Sequence, residues 1–69
     1  MYYYKRIKEL REDRDLSQTD IANVLEIKQV VYSRYERGER ELPIHLLIKL
    51  CRIYNVSADY ILELNKKSK

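Results

Sequence analysis

The chain has 69 residues with one glycine, one proline and one cysteine, and residues 66–69 supply its net charge of +3, because residues 1–65 hold equal numbers of basic and acidic side chains. A lone cysteine excludes an internal disulfide, and no apolar run approaches the roughly 20 residues needed to cross a bilayer. With no signal-peptide pattern at the N-terminus either, we expect one small cytoplasmic domain that has no membrane partner.

Apolar spacing and a cap define the first two predicted helices. Ile7 and Leu10 have the spacing of a one-sided helix, which predicts a first helix over about residues 3–14. Ser17 is an N-cap candidate for a second helix, with Asp20 three residues later as an imperfect capping box. The buried stripe of the second helix is expected to hold Ile21, Ala22 and Leu25.

Turn signals then separate two further helices. A short turn at residues 26–28 precedes a third helix that runs to Arg37, where Gly38 can take the left-handed conformation that ends a helix. Pro43 fits the first turn of a fourth helix, and Asn55 fits its left-handed terminator. The core stripe of the fourth helix is expected to hold Leu47, Leu50, Cys51 and Tyr54.

A fifth helix completes the predicted domain. Ser57 is its N-cap candidate, Asp59 lies favourably in its first turn, and Ile61 and Leu62 form its apolar side. We expect residues 1–65 to form a single domain and the basic residues 66–69 to form a disordered tail.

The third helix has two chemically different faces. The polar and basic face holds Gln29, Val30, Ser33, Arg34 and Arg37. The opposite face is apolar and holds Val31, Tyr32 and Tyr35. A short helix with an apolar back and a hydrogen-bonding front, following a short helix and a tight turn, is typical of the segment that enters a DNA major groove.

Three blocks carry a family resemblance: residues 16–22 (LSQTDIA), 32–38 (YSRYERG) and 56–62 (VSADYIL). In this order and spacing they resemble the Cro and phage-repressor helix-turn-helix family, which includes lambda-repressor-like and XRE-like transcriptional regulators. The resemblance covers about residues 4–64. It implies a compact, all-α, five-helix domain with the helix-turn-helix in helices two and three. It also implies a sequence-specific double-stranded DNA-binding regulator, with repression as the expected mode.

The resemblance also implies roles for single residues. The positions that meet bases match Gln29, Val30, Ser33 and Arg34. Gln18 matches a residue that binds a phosphate and braces Gln29, and Arg11 and Glu36 match a partly buried salt bridge between helices one and three. A glutamine amide can pair with adenine and a valine can pack on a thymine methyl. Arg34 is equally well placed to reach DNA or to pair with a nearby carboxylate.

Some charged residues around this face favour DNA binding and others oppose it. Lys28, Arg37 and Arg40 flank the face and are expected to hold phosphates, which makes binding salt-dependent. Glu39 and Glu41 lie beside the same loop, where they oppose phosphate contact and lower the expected affinity. The sequence also departs from the family at two positions. Relatives usually have glycine where Glu26 stands, and a serine or threonine cap where Lys28 stands.

No other residue pattern indicates catalysis or a cofactor. Cys51 lies on a core stripe and is interpreted as a buried small hydrophobe, and His45 is interpreted as a surface residue without a second metal ligand. The sequence offers no nucleophile with a base, so we expect neither an enzyme nor a small-molecule, metal or cofactor site. Tyr32, Tyr35 and Tyr54 are expected in the core with their hydroxyls at its rim.

Two questions of partnership follow from the predicted fold. One recognition helix reads too few base pairs to single out a genomic site, so we expect a homodimer on a palindromic operator with half-sites about 34 Å apart. Tyr60 and Leu64 are the candidate contact, and the alternative is that they cover the end of helix four or helix one. The rival function is a protein-interaction module, for example an antitoxin-like domain on the same fold. The polar and basic front of helix three favours DNA.

Overall fold

The computed structural model describes residues 3–63, and this part of the chain is all-α. None of its helices is long and apolar enough to span a membrane. The expectations for Leu64 and for the tail at residues 66–69 lie outside the described residues. The five helices are α1 (Tyr3–Asp13), α2 (Gln18–Leu25), α3 (Gln29–Glu36), α4 (Ile44–Tyr54) and α5 (Ala58–Leu62). This confirms the predicted fold class and helix order.

Side chains from all five helices meet in one core. Helix α1 packs against α3 and α5, α2 packs against α3, and α4 packs against α5. The α2–α3 unit is therefore held from behind by α1, which leaves the front of α3 available to a ligand. The buried apolar residues are Ile7, Leu10, Ile21, Ala22, Leu25, Tyr32, Tyr35, Leu46, Leu50, Tyr54 and Ile61.

The predicted core stripe of α4 is wrong in part. Leu50 and Tyr54 are buried as expected, but Leu47 and Cys51 are only half-buried, and Leu46 takes the third core position with 3% of its surface exposed. Residues 46, 50 and 54 repeat every four residues along one face. Helix α4 carries apolar residues on several sides, so periodicity alone did not identify the face that the other helices cover.

Local backbone chemistry sets the helix boundaries. The Ser17 hydroxyl accepts a hydrogen bond from the Asp20 amide at 3.0 Å, and the Asp20 carboxylate accepts one from the Ser17 amide at 2.9 Å, so the capping box is complete. Asn55 ends α4 in the left-handed region with φ 56°, and Ser57 caps α5. Pro43 is the N-cap of α4, one residue before the predicted first turn.

Two features of the structure favour glycine at position 38, just after α3. Its φ of +74° lies in the left-handed region that favours glycine. A Cβ atom at this position would also lie 3.1 Å from the ring of Tyr4 on α1. The predicted helix end at Gly38 is confirmed, and the absence of a side chain there allows Tyr4 of α1 to pack closely beside the end of α3.

The tyrosine hydroxyls differ from the expectation. The Tyr32 and Tyr54 rings are buried as predicted, but their hydroxyls are buried too and do not lie at the rim of the core. The Tyr32 hydroxyl is inside because it donates a hydrogen bond to the buried carboxylate of Glu36 at 2.5 Å. Burial raises the pKa of Tyr54 to about 12.

Candidate nucleic-acid interface

The turn between α2 and α3 tolerates both departures from the family pattern. Glu26 adopts φ 62° and ψ 40°, and its amide donates to carbonyls at the end of α2. This left-handed conformation costs a non-glycine residue about 1–2 kcal/mol. Lys28 is the N-cap of α3 in extended conformation and makes no side-chain cap hydrogen bond. The turn therefore keeps its helix-capping geometry at some cost in stability.

Most of the predicted front of α3 is open to solvent. Gln29 and Arg34 are exposed, and Val30 has 51% of its surface exposed. On the back of the helix, Tyr32 and Tyr35 are buried in the core. The two-faced pattern predicted from the sequence therefore describes the arrangement of α3 in the fold.

Ser33 does not have the exposed position that a base contact needs. It is 7% exposed, and its hydroxyl accepts a hydrogen bond from Arg37 Nη1 at 2.5 Å. The guanidinium group of Arg37 therefore lies against the Ser33 hydroxyl. In this arrangement Ser33 orients Arg37, and its hydroxyl is not presented to a base edge.

Arg37 also forms an ion pair within the candidate interface. Its Nε and Nη2 donate to the two carboxylate oxygens of Glu39 at 2.9 and 3.1 Å. The pair raises the pKa of Arg37 and lowers the pKa of Glu39, and both side chains are about half exposed. A DNA phosphate that contacts Arg37 would compete with Glu39 for its guanidinium group. Lys28, Arg34 and Arg40 are exposed, and the charge of Arg34 also acts to lower the pKa of Glu39.

A buried polar cluster lies behind α3. Glu36 accepts hydrogen bonds from Arg11 Nε at 2.6 Å, Arg11 Nη2 at 3.1 Å and the Tyr32 hydroxyl at 2.5 Å. Its side chain is only 2% exposed. Burial acts to raise the pKa of Glu36, but the hydrogen bonds outweigh it, and the pKa lies below the usual value. Arg11 also donates to the Leu16 carbonyl at 2.7 Å, which ties α1 to the start of the helix-turn-helix.

Two glutamines extend this cluster to the surface. Gln18 Nε2 donates to Glu36 Oε1 at 3.0 Å, and Gln29 Nε2 donates to Gln18 Oε1 at 2.6 Å. The structure thus places Gln18 against Gln29, the arrangement that the resemblance implies. The bond from Gln18 to Glu36 was missed at the sequence level, because no local spacing signals a contact between residues 18 positions apart.

Tyr60 is partly available for a dimer contact. It is 40% exposed, and the guanidinium group of Arg6 on α1 lies 4.4 Å from the centre of its ring. Arg6 also pairs with Glu63 at 3.3 Å. Tyr60 therefore covers part of α1, as the alternative interpretation expects, and still presents a substantial surface to solvent.

The residues with possible metal or redox chemistry are dispersed. Among residues 3–63 no group of histidine, cysteine and acidic side chains is arranged to hold a metal ion. His45 is exposed, and Cys51 is half-buried in contact with the core, where burial raises the pKa of its thiol. The front of α3 combines the exposed hydrogen-bonding side chain of Gln29 with the basic Arg34 and Arg37.

Comparison with known proteins agrees with this geometry. A family model described as helix-turn-helix matches residues 7–61. The chain is 40% identical over 65 residues to the HTH-type transcriptional regulator ImmR of Bacillus subtilis, an alignment that covers 94% of this chain and 51% of ImmR. It is 32% identical over 54 residues to the cryptic phage CTXphi transcriptional repressor RstR of Vibrio cholerae, covering 78% of this chain and 49% of RstR.

A third relative is an antitoxin. The chain is 38% identical over 53 residues to the antitoxin PezA of Streptococcus pneumoniae, covering 77% of this chain and 34% of PezA. The chain spans about half the length of the first curated relatives it matches. These similarities therefore concern the helix-turn-helix domain, and the remainder of each relative has no counterpart in the aligned part of this chain.

Proposed function

Since the chain belongs to the helix-turn-helix family of the Cro and phage-repressor type, we propose that it is a sequence-specific, double-stranded DNA-binding transcriptional regulator that acts as a repressor. The observation that carries the proposal is Gln29. It is exposed at the start of α3, its amide is held by Gln18, and the back of its helix is fixed in the core. A side chain prepared in this way loses little conformational freedom when it meets a base. Because the proposed ligand is genomic or phage DNA, we also infer a cytoplasmic location.

The contacts divide into base reading and phosphate binding. With α3 in the major groove, Gln29, Val30 and Arg34 reach base edges, each good pairing contributing about 1–3 kcal/mol of discrimination. The exposed Lys28 and Arg40 flank the groove and bind phosphates. Gln18 uses the second hydrogen of its Nε2 for a phosphate. Arg37 also binds a phosphate when its ion pair with Glu39 breaks.

A homodimer on a palindromic operator completes the proposal. Two copies of α3 about 34 Å apart read two half-sites and supply the discrimination that one short helix lacks. The half-exposed Tyr60 is the proposed contact on the described surface. Tyr60→Asp should lower the ratio of protein to palindromic duplex from two to one, measured by sedimentation, while wild type keeps two. One wild-type molecule per duplex would refute the dimer.

Selection from a random pool of DNA duplexes tests the function itself. The wild-type chain should enrich one sequence, and footprinting of that duplex should show protection of major-groove atoms over each half-site. A pool that remains random after repeated rounds would contradict sequence-specific binding. Arg37→Ala is the companion variant. It should weaken binding to every duplex alike and reduce the salt slope by about one unit.

A protein-interaction module is the second candidate function, and one observation favours it. On α4, Ile44 is 73% exposed and Ile48 is 47% exposed, and Ile44 lines a cavity together with Tyr3, Glu41, Leu42, Leu47 and Leu62. The similarity to an antitoxin points the same way. This alternative predicts that selection from a duplex pool enriches no sequence. It also predicts that Ile48→Asp abolishes binding to a protein partner.

A further inference from the structure

Helix α4 carries an apolar row on a side that the core does not cover. Its buried side is formed by residues 46, 50 and 54. The apolar row consists of Ile44, Ile48 and Cys51, which have the i, i+4 and i+7 spacing of one helix face. Ile44 is 73% exposed, Ile48 is 47% exposed and Cys51 is half-buried. Covering this row would remove apolar surface from water, which favours association.

A basic row runs along one edge of the apolar row. It consists of His45, Lys49 and Arg52, which directly follow the three residues of the apolar row and repeat their spacing. All three side chains are exposed. Between Ile44 and Tyr54 the sequence has no acidic residue. The solvent side of α4 therefore combines apolar surface with positive charge along one edge.

A cavity at the beginning of the apolar row offers a place for an anchoring side chain. Ile44 and Leu47 line it from α4, and Leu62 lines it from α5. Its volume is about 230 Å³, and an apolar cavity of about 150 Å³ is enough to hold benzene. One phenylalanine or leucine side chain therefore fits. Glu41 also lines the cavity, so a carboxylate is disfavoured at this end and favoured near Arg52.

We propose that this face of α4 is a docking surface for an acidic amphipathic helix of a partner protein. One aromatic side chain of the partner fills the cavity, and its carboxylates lie against Lys49 and Arg52. A helix can present apolar and charged residues in neighbouring rows, so its two rows match those of α4. This contact adds a protein partner to the proposed DNA-binding function and does not depend on it, because it uses α4 and not α3.

Charge distinguishes the acidic helix from other occupants of this face. A second copy of α4 brings no acidic residue to meet the basic row. DNA would pair with the basic row through its phosphates, but it would offer no apolar surface to the exposed isoleucines. An acidic amphipathic helix complements both rows, whereas a basic one would place like charges against each other.

Two synthetic amphipathic peptides of about 15 residues test this surface. Both have leucines and one phenylalanine on the apolar face, and they differ only in the flanking row, which is glutamate in one and lysine in the other. Fluorescence anisotropy of the labelled peptides, titrated with the full chain at low salt, measures their affinities. We expect the glutamate peptide to bind wild type about tenfold more tightly than the lysine peptide.

Variants on α4 locate the contact. Lys49→Glu should abolish the preference between the peptides, and the combined Lys49→Glu and Arg52→Glu variant should reverse it. Lys8→Glu makes the same change at another exposed lysine, on α1, and should keep the wild-type preference. Ile48→Asp should weaken both peptides about tenfold or more. All four positions are exposed, and circular dichroism melting checks that each variant is folded.

Several results would refute the acidic helix as the occupant. Wild type could bind the two peptides equally or bind neither. The combined variant could lose affinity for the wild-type-selected duplex when Lys8→Glu does not, which would assign the basic row to DNA. Sedimentation could show a dimer of free wild type that Ile48→Asp dissociates, which would assign the face to a second copy. None of these results bears on base reading by α3, and a failure of duplex selection leaves the peptide measurements valid.

Discussion

The ion pair of Arg11 and Glu36 should dominate the stability of the helix-turn-helix unit. The perturbation is a double-mutant cycle of Arg11→Ala, Glu36→Ala and the combined variant. The two side chains are 10% and 2% exposed, so neither charge can be solvated fully when its partner is removed. Glu36→Ala leaves the guanidinium group with its hydrogen bond to Leu16 and a 4.0 Å contact to the exposed Glu12.

The magnitude follows from this burial. Removing one partner of a buried ion pair costs about 3–5 kcal/mol, because the other charge is left without compensation. A domain of this length is stable by roughly 3–10 kcal/mol, so each single variant should be close to unfolding at room temperature. In the combined variant no buried charge remains. Its loss should therefore be smaller than the sum of the single losses by about 1–3 kcal/mol.

Urea unfolding followed by circular dichroism gives the free energy of unfolding for each variant. Tyr32→Phe is a useful control, because it removes one hydrogen bond to Glu36 and leaves both charges paired. Its cost should be about 1.5–3 kcal/mol, below that of either alanine variant. Additive losses for Arg11→Ala and Glu36→Ala, within about 0.5 kcal/mol, would show that the pair is not coupled and that the reasoning is wrong.

Three further predictions concern single carboxylates. The pKa of Glu36 lies below its usual value of 4.5, so the stability that its charge contributes is present above pH 4.5. That stability is lost as the pH falls through the folded-state pKa. Acid titration should therefore destabilise wild type more steeply than Glu36→Gln. Glu39→Gln releases Arg37 from its ion pair and should raise the affinity for all duplexes several-fold at low salt. The control Glu41→Gln should raise the affinity less. Equal effects of the two variants would mean that the ion pair with Glu39 is irrelevant to DNA binding. Glu26→Gly removes a left-handed non-glycine residue and should raise the free energy of unfolding by about 0.5–1 kcal/mol in urea; a loss of stability would contradict the assigned strain.

The helix boundaries could be predicted from the sequence because short-range chemistry sets them. Ser17 and Asp20 cap α2 through contacts three residues apart, and Gly38 and Asn55 end helices through their own backbone conformation. Such signals are contained in a few neighbouring residues. The order of the helices and the two-faced pattern of α3 followed from them together with apolar spacing.

What the sequence did not predict depends on contacts between distant residues. Leu46 replaces Leu47 in the core because the neighbouring helices decide which side of an apolar helix is covered. Ser33 is buried and bonded to Arg37, although it lies on the face predicted to be exposed. The bond from Gln18 to Glu36 joins two helices, and only the folded chain brings the two side chains together.

The most direct test of sequence reading by α3 is the affinity of Gln29→Ala for two DNA duplexes. Fluorescence anisotropy would compare the duplex selected by wild type with a scrambled duplex of the same length and composition. Asn23→Ala, which removes another exposed amide, is the matched control on α2. We predict a loss of about 1–3 kcal/mol for Gln29→Ala on the selected duplex and almost none on the scrambled one. Equal losses on both duplexes would contradict the assignment of α3 as the helix that reads the sequence.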